Sequence, residues 1–331
     1  MATDTSLIVV LVAMAANLTL AILKFVAYLL TGSPSMLAQT YHSISDTGNQ
    51  VLLLVGMYYA KKRADRLHPF GHGKAIFFYS FLVSVLLFGI AGWESLQTGL
   101  RALRAGTPVE LPGEAQMTAL GVEFRAIYLA YAVLIVTIIL DGISYIKARQ
   151  ALDVEIEERE WQGFREAFQK TSDMPVLAVL TENAVAGVGA AIALVGIFLA
   201  DVTGIYIFDA AGAALIGLLL MVFALALGWE NKRLLIGEAL PELEEQSLEA
   251  VVTSSSGVEE LVDFRTVYFG PDNVLVVADV SFDPSLDTEE IEQTIEEIET
   301  DLRAQETVIG KIYIEPSETD DTAPASESDD A

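Results

Sequence analysis

His42 and Asp46 lie four residues apart, so on a helix they project from one face, and Asn49 continues that face. An imidazole nitrogen and a carboxylate oxygen one turn apart are natural ligands for a divalent cation, and both groups also exchange protons. The bland alternative is a polar pair that holds helices together. Glu182, followed by Asn183, heads a run with Ala184, Ala186, Gly187, Gly189 and Ala190, small residues that let another helix come close. Its carboxylate either turns inward to join His42 and Asp46 or reaches water from a helix end. A third set lies in Asp65-Arg66-Leu67-His68-Pro69-Phe70-Gly71-His72-Gly73-Lys74. Asp65, His68 and His72 have metal-ligand spacing, and the Pro and Gly between them shape a turn able to converge them. Lys62, Arg63, Arg66 and Lys74 oppose a cation there, and a solvated loop with two surface histidines is the competing reading. Asp209 reads as a helix cap, and Asp141 and Glu94 are weaker buried-acid candidates.

No His-Glu-x-x-His pair, phosphate loop or Gly-x-Ser-x-Gly elbow occurs in the chain. It has no cysteine, which excludes thiolate metal sites, disulfides and Cys nucleophiles. The expectation is not an enzyme, and no resident cofactor.

These polar residues are set in a very apolar chain. Of 331 residues, 53% are hydrophobic and the mean hydropathy is +0.45, yet the net charge is −27. Residues 1–233 hold 19 acids and 16 bases, whereas residues 234–331 hold 27 acids and 3 bases. An apolar, nearly neutral body thus precedes a strongly acidic soluble part. That part repels phosphate, which excludes nucleic acid as a partner and argues against docking on anionic lipid. Crossing a hydrocarbon core takes about 20 helical residues. Six stretches qualify: Leu7–Leu30, Met36–Ala60, Ala75–Leu100, Ala126–Ala148, Val176–Leu199 and Ile207–Gly228. The first run is too long for a cleaved signal peptide and follows Asp4 rather than a basic cluster. The loops on the N-terminal side carry 12 Lys and Arg against 3 on the other, which puts both termini in the cytoplasm. A charge near the bilayer centre costs roughly 2.5–3.5 kcal/mol on insertion scales, so Asp46 and Glu182 need a reason to be there.

Beyond the sixth stretch the periodicity changes. Glu242–Thr253 reads as a helix, and Leu261–Phe269 and Val274–Phe282 alternate like strands around the turn Gly270-Pro271-Asp272-Asn273. Asp287–Leu302 has a helical stripe of Ile291, Ile295, Ile298 and Leu302 behind a capping Asp287 and an acidic first turn. Val308–Ile314 is a third strand. The predicted fold class is an α-helical membrane protein, six transmembrane helices followed by a small cytoplasmic α+β domain of order α-β-β-α-β. The predicted domains are 1–233 for the membrane part, 234–316 for the soluble module and 317–331 for a disordered acidic tail.

Four segments resemble the cation diffusion facilitator family, which includes the zinc transporters. They are Ser35-Met36-Leu37-Ala38 leading to His42-Ser43-Ile44-Ser45-Asp46 and Asn49-Gln50, His68-Pro69-Phe70-Gly71-His72-Gly73-Lys74, Asp173-Met174-Pro175 leading to Leu180-Thr181-Glu182-Asn183, and Leu234-Leu235-Ile236-Gly237-Glu238-Ala239-Leu240-Pro241. The resemblance implies a homodimeric secondary transporter in the cell membrane that exchanges a cytoplasmic divalent cation, usually zinc, for protons. It implies a transport site formed by spans 2 and 5, with His42 and Asp46 matching the span 2 pair, a second metal site at Asp65, His68 and His72, and a dimerising soluble domain. Span 5 departs from the common pattern: Leu180 and Ala184 stand about where its paired ligands lie, and Glu182-Asn183 resembles a zinc-transporter-like branch with a Leu-Glu-Asp/Asn signature.

The expected cargo is zinc, with manganese, iron, cobalt and cadmium also compatible with one His among carboxylates. The expected partners are a second copy of the chain, the cation, protons and the lipid bilayer. A membrane scaffold or metal-buffering protein of the same fold is the alternative. The acidic excess and few lysines suggest adaptation to salt.

Overall fold

A computed structural model describes residues 2–105, 116–119, 122–158, 163, 174–271 and 273–317. The chain divides into two compact units, Met1–Gly56 with Phe78–Lys232 and Met57–Phe77 with Arg233–Ala331. The predicted tail, all but Ser317 of it, lies outside the described residues, as does Asp173.

The first unit is built from long helices: α1 (Ala2–Thr31), α2 (Pro34–Ala60), α3 (Ala75–Ala105), α4 (Ile127–Glu158), α5 (Met174–Thr203) and α6 (Ile207–Ile236). A π-helical segment, Val83–Phe88, interrupts α3. Among the described residues, five helices are long and apolar enough to cross a membrane, α1 and α3 to α6. Their outer faces expose Ile22, Leu29, Ile139, Val195, Leu218 and Leu225, an apolar surface of the kind that lipid covers. The remaining helix, α2, has 27 residues, enough to span, but it buries Ser35, Gln39, Thr40, His42, Ser43 and Ser45. Its interior face is polar and its outer face apolar, with Ile44 and Val51 exposed.

Missing side chains bring these helices together. A Cβ on Gly217 of α6 would stand 2.3 Å from the Leu96 backbone nitrogen, and one on Gly99 of α3 would stand 2.4 Å from that of Ala214. The α3–α6 contact therefore depends on glycine at both positions. Arg125 and Tyr131, flanking the start of α4, both donate to the Asp201 carboxylate near the end of α5, at 2.5 and 3.1 Å. Asp209 is a cap, but for a neighbour: its Oδ1 accepts from the Ser35 backbone N–H at 3.1 Å, an otherwise unpaired donor in the first turn of α2. The hairpin β1 (Gln116–Ala119) and β2 (Val122–Arg125), antiparallel between α3 and α4, was not legible in the sequence.

In the second unit, α7 (Glu242–Ser254), β3 (Val258–Gly270), β4 (Asn273–Phe282), α8 (Thr288–Gln305) and β5 (Ile309–Pro316) follow the predicted order. Antiparallel β3 and β4 meet at the Gly-Pro turn, and the parallel β4–β5 pair is joined by α8, the crossover such a pair requires. Val274, Val276, Ala278 and Val280 of the central strand are fully buried against Ile298 and Leu302 of α8 and Leu248 and Val252 of α7. Asp287 starts α8 with a capping box: its carboxylate accepts from the Glu289 and Glu290 amides, and Glu290 accepts from the Asp287 amide.

Candidate functional site

The polar face of α2 repeats every three to four residues through Gln39, His42, Ser43, Asp46, Asn49 and Gln50. His42 is almost fully buried, and its Nε2 lies 3.4 Å from Asp46 Oδ1. The small residues of α5 make room for this face. A Cβ on Gly189 would stand 2.9 Å from Gln39 Nε2 and 3.9 Å from His42 Nδ1, and one on Gly187 would stand 3.9 Å from Asp141 Cβ. Thus α2 and α4 both approach α5 where it lacks side chains. Glu182 of α5 hydrogen-bonds the Asn49 side chain and lies within electrostatic range of Asp46 and Asp141. Its carboxylate is thus engaged with α2. Asn183 follows it, half-buried.

Three further atoms of this region, Gln39 Nε2, Gln50 Oε1 and Asp141 Oδ2, are buried without a hydrogen-bond partner. Unsatisfied polar atoms on this scale are uncommon in folded proteins and mark places where water or an ion belongs. Two participants carried little sequence signal. Asp141 was one weak acid among several. Lys24 of α1 interrupts an apolar run, and that interruption was the available clue. It donates to Ser43 Oγ at 2.8 Å and Gln39 Oε1 at 3.2 Å.

Asp65, His68 and His72 converge as their spacing suggested. One ligand atom from each lies within 4.8 Å of the others. Asp65 approaches His68 Nδ1 at 3.3 Å and His72 Nε2 at 3.6 Å, and the two imidazole centroids are 4.1 Å apart. The turn is made by Asp65 itself, whose Oδ1 accepts from the Leu67 and His68 amides at 2.8 and 2.7 Å. The His68 amide, foremost among these bonds, holds the Asp65 carboxyl below the usual carboxylate range. Gly71, with φ of +90°, supplies a backbone conformation that other residues rarely adopt. Two of the flanking cations are engaged elsewhere: Lys62 lies 4.0 Å from the Tyr59 ring centroid, and Lys74 lies 4.8 Å from that of Phe269 and donates to the Leu235 carbonyl. Phe70 also packs on Phe269, with centroids 4.9 Å apart, so the loop is seated on the β3–β4 hairpin of its own unit.

A bundle of apolar helices around buried imidazole and carboxylate, followed by a three-stranded α/β module, defines a membrane protein that handles cations. The family described as the cation efflux transmembrane domain matches residues 10–236. The chain belongs to this family, the cation diffusion facilitators, which are transporters rather than enzymes. It is 26% identical over 260 residues to metal tolerance protein C4 of Arabidopsis thaliana, covering 78% of this chain and 53% of that one. It is 26% identical over 297 residues to the mitochondrial proton-coupled zinc antiporter SLC30A9 of Mus musculus, covering 88% and 50%. It is 29% identical over 254 residues to the cation-efflux pump FieF of Shigella flexneri, covering 76% and 73%. The chain thus spans about half the length of the first two relatives.

Proposed function

We propose that the chain is a secondary transporter that exports a divalent cation, zinc by default, from the cytoplasm in exchange for protons. The observation that carries this reading is the buried His42–Asp46 pair, in electrostatic contact with Glu182 and Asp141 of two other helices. Imidazole and carboxylate bind metal only when deprotonated, so loading releases protons and protonation releases metal. One set of side chains then carries both ions in turn, provided the bundle exposes it to each side alternately. His42, Asp46 and Glu182 are the ligands, with Asn183 or water completing the shell. The relative named a proton-coupled zinc antiporter supports zinc and protons here. The same ligand chemistry admits manganese, iron, cobalt and cadmium.

In this reading α2 is the sixth span, both termini are cytoplasmic and the protein resides in the cell membrane. The transport part is 1–233, the module at 234–316 joins two copies into a homodimer, and the acidic stretch 317–331 is disordered. Asp65, His68 and His72 hold a weakly bound, exchangeable metal, since three ligands leave a coordination position open. One observation favours a metal-holding scaffold instead: among the described residues, the three-ligand group within 4.8 Å lies in the loop and not between the helices.

Uptake of zinc into sealed vesicles bearing a pH gradient decides between them. Transport is expected from the wild type and is abolished by His42→Ala or Asp46→Ala, both of which still insert. Metal binding without any flux would establish the scaffold, and wild-type uptake by either variant would remove the site from α2.

A further inference from the structure

Lys24 is the one charged residue in the apolar run Leu7–Leu30. It is not at an end from which a lysine reaches water, and only 3% of it is exposed. Its ammonium lies between two acceptors on α2, Ser43 Oγ and Gln39 Oε1, which sit one turn apart and flank His42 in sequence. An ammonium has three N–H donors, and these partners use two of them. Both partners are neutral, so the charge itself is not cancelled where it is held.

The groups that face this charge come from three other helices. His42 and Asp46 lie on α2, Asp141 on α4 and Glu182 on α5. Lys24 is in electrostatic range of His42, Asp46 and Asp141, and Glu182 is coupled to Asp46 and Asp141. The cluster thus sets one tethered lysine amine among three carboxyl groups. A buried ammonium is costly unless opposite charge compensates it, and a hydroxyl and an amide do not supply that charge. If Lys24 served only to pack α1 on α2, a neutral donor would serve without that cost.

We propose that Lys24 is a tethered cation of the transport site, one that neutralises part of its carboxylate charge between loading events and weakens its grip on the metal. It is a positioning residue, because an ammonium has no lone pair and cannot ligate. A divalent ion entering among Asp46, Asp141 and Glu182 meets a positive charge that cannot leave. The site therefore binds less tightly than its carboxylates alone would, and release is correspondingly faster. This inference rests on the assignment of His42 and Asp46 to the transport site, and its test separates the two.

The test uses the full chain purified in detergent, carrying Asp65→Ala, His68→Ala and His72→Ala so that none of the three loop ligands remains. Zn2+ is titrated calorimetrically at one fixed pH. Lys24→Gln removes the charge while keeping N–H donors on a slightly shorter side chain, and is expected to tighten Zn2+ binding about tenfold or more. Its transport in vesicles should slow as release becomes limiting. Lys24→Arg keeps the charge and should stay within about threefold of the parent. Unchanged or weaker binding by a Lys24→Gln protein of normal helix content overturns the proposal and leaves Lys24 a packing residue. Should Lys24→Gln not fold, Lys24→Gln with Asp141→Asn removes one charge of each sign. It is then compared with Asp141→Asn alone, and the same gain in affinity is expected, its absence counting against the proposal. Asp46→Ala is the control for the underlying assignment. If it binds Zn2+ like its parent, the site reading fails, whereas loss of binding there with no effect of Lys24→Gln defeats the tethered cation alone.

Discussion

The residues that define the site differ in how strongly the sequence announced them, and the difference is physical. His42 and Asp46 stood out because imidazole and carboxylate are costly in lipid and sit one turn apart. Asp65, His68 and His72 stood out through spacing alone, since turn, ligands and glycine fall within one short segment. Asp141 and Lys24 did not, because their role depends on which helix lies beside which, and helix adjacency is not written in local periodicity. Glu182 is the residue whose part is best tested by charge. Glu182→Gln keeps its volume, and we predict weaker metal affinity by about tenfold and a flatter dependence on pH. Calorimetry across a pH series would show this, and an unchanged profile would return Glu182 to a structural tie with Asn49. In the loop, the carboxylate form of Asp65 is the one that the His68 and Leu67 amides bind, so its folded value lies below its unfolded one. The turn is therefore intact through and above the ordinary carboxylate range and opens only as pH falls through the lowered value. The Leu67 amide resonance should shift in that acidic window, and should already be shifted at neutral pH in Asp65→Ala.

At the scale of elements, the C-terminal α/β module was the more legible part. Its strands alternate, its helices carry stripes, and a capping aspartate marks the start of α8, so each boundary had a local cause. The membrane helices were legible as apolar lengths, with α2 the exception that composition sets apart from the other five. Their pairing was hidden. Gly92, Gly99 and Gly217 look alike in a sequence full of small residues, and only the structure shows α3 and α6 meeting through them. Gly217→Ala would force backbone apart, and the cost of such overpacking is about 1–3 kcal/mol. We predict a lower Tm for Gly217→Ala in detergent. Gly142→Ala on α4 is the matched control, since its added methyl meets nothing within 4 Å. That variant should be neutral or slightly more stable, as alanine is the better helix former. Equal melting of both variants would mean that α3 and α6 are not tightly packed.

For the whole molecule, charge and order of synthesis set the terms. Residues 234–331 carry 27 acids against 3 bases, a self-repulsion that salt must screen. We predict that the chain loses β-structure, and with it the proposed dimer, between molar and millimolar KCl. Circular dichroism and light scattering on one sample would follow both, and spectra unchanged across that range would refute the idea. The Lys24 contact with α2 has a further consequence, one of timing. The ribosome delivers α1 ahead of α2, bearing an ammonium that lipid rejects. The acceptors of that charge, Gln39 and Ser43, emerge only 15 and 19 residues later. The helix that brings them, α2, is not among the five that are long and apolar enough to cross by composition. We predict that each helps the other into the bilayer, the two entering as a hairpin rather than in turn. A glycosylation acceptor placed after residue 60 would report this. We expect α2 behind an unrelated apolar leader to stay in water and α2 behind its own α1 to cross. Equal crossing in both would show that the membrane takes α2 on its own merits.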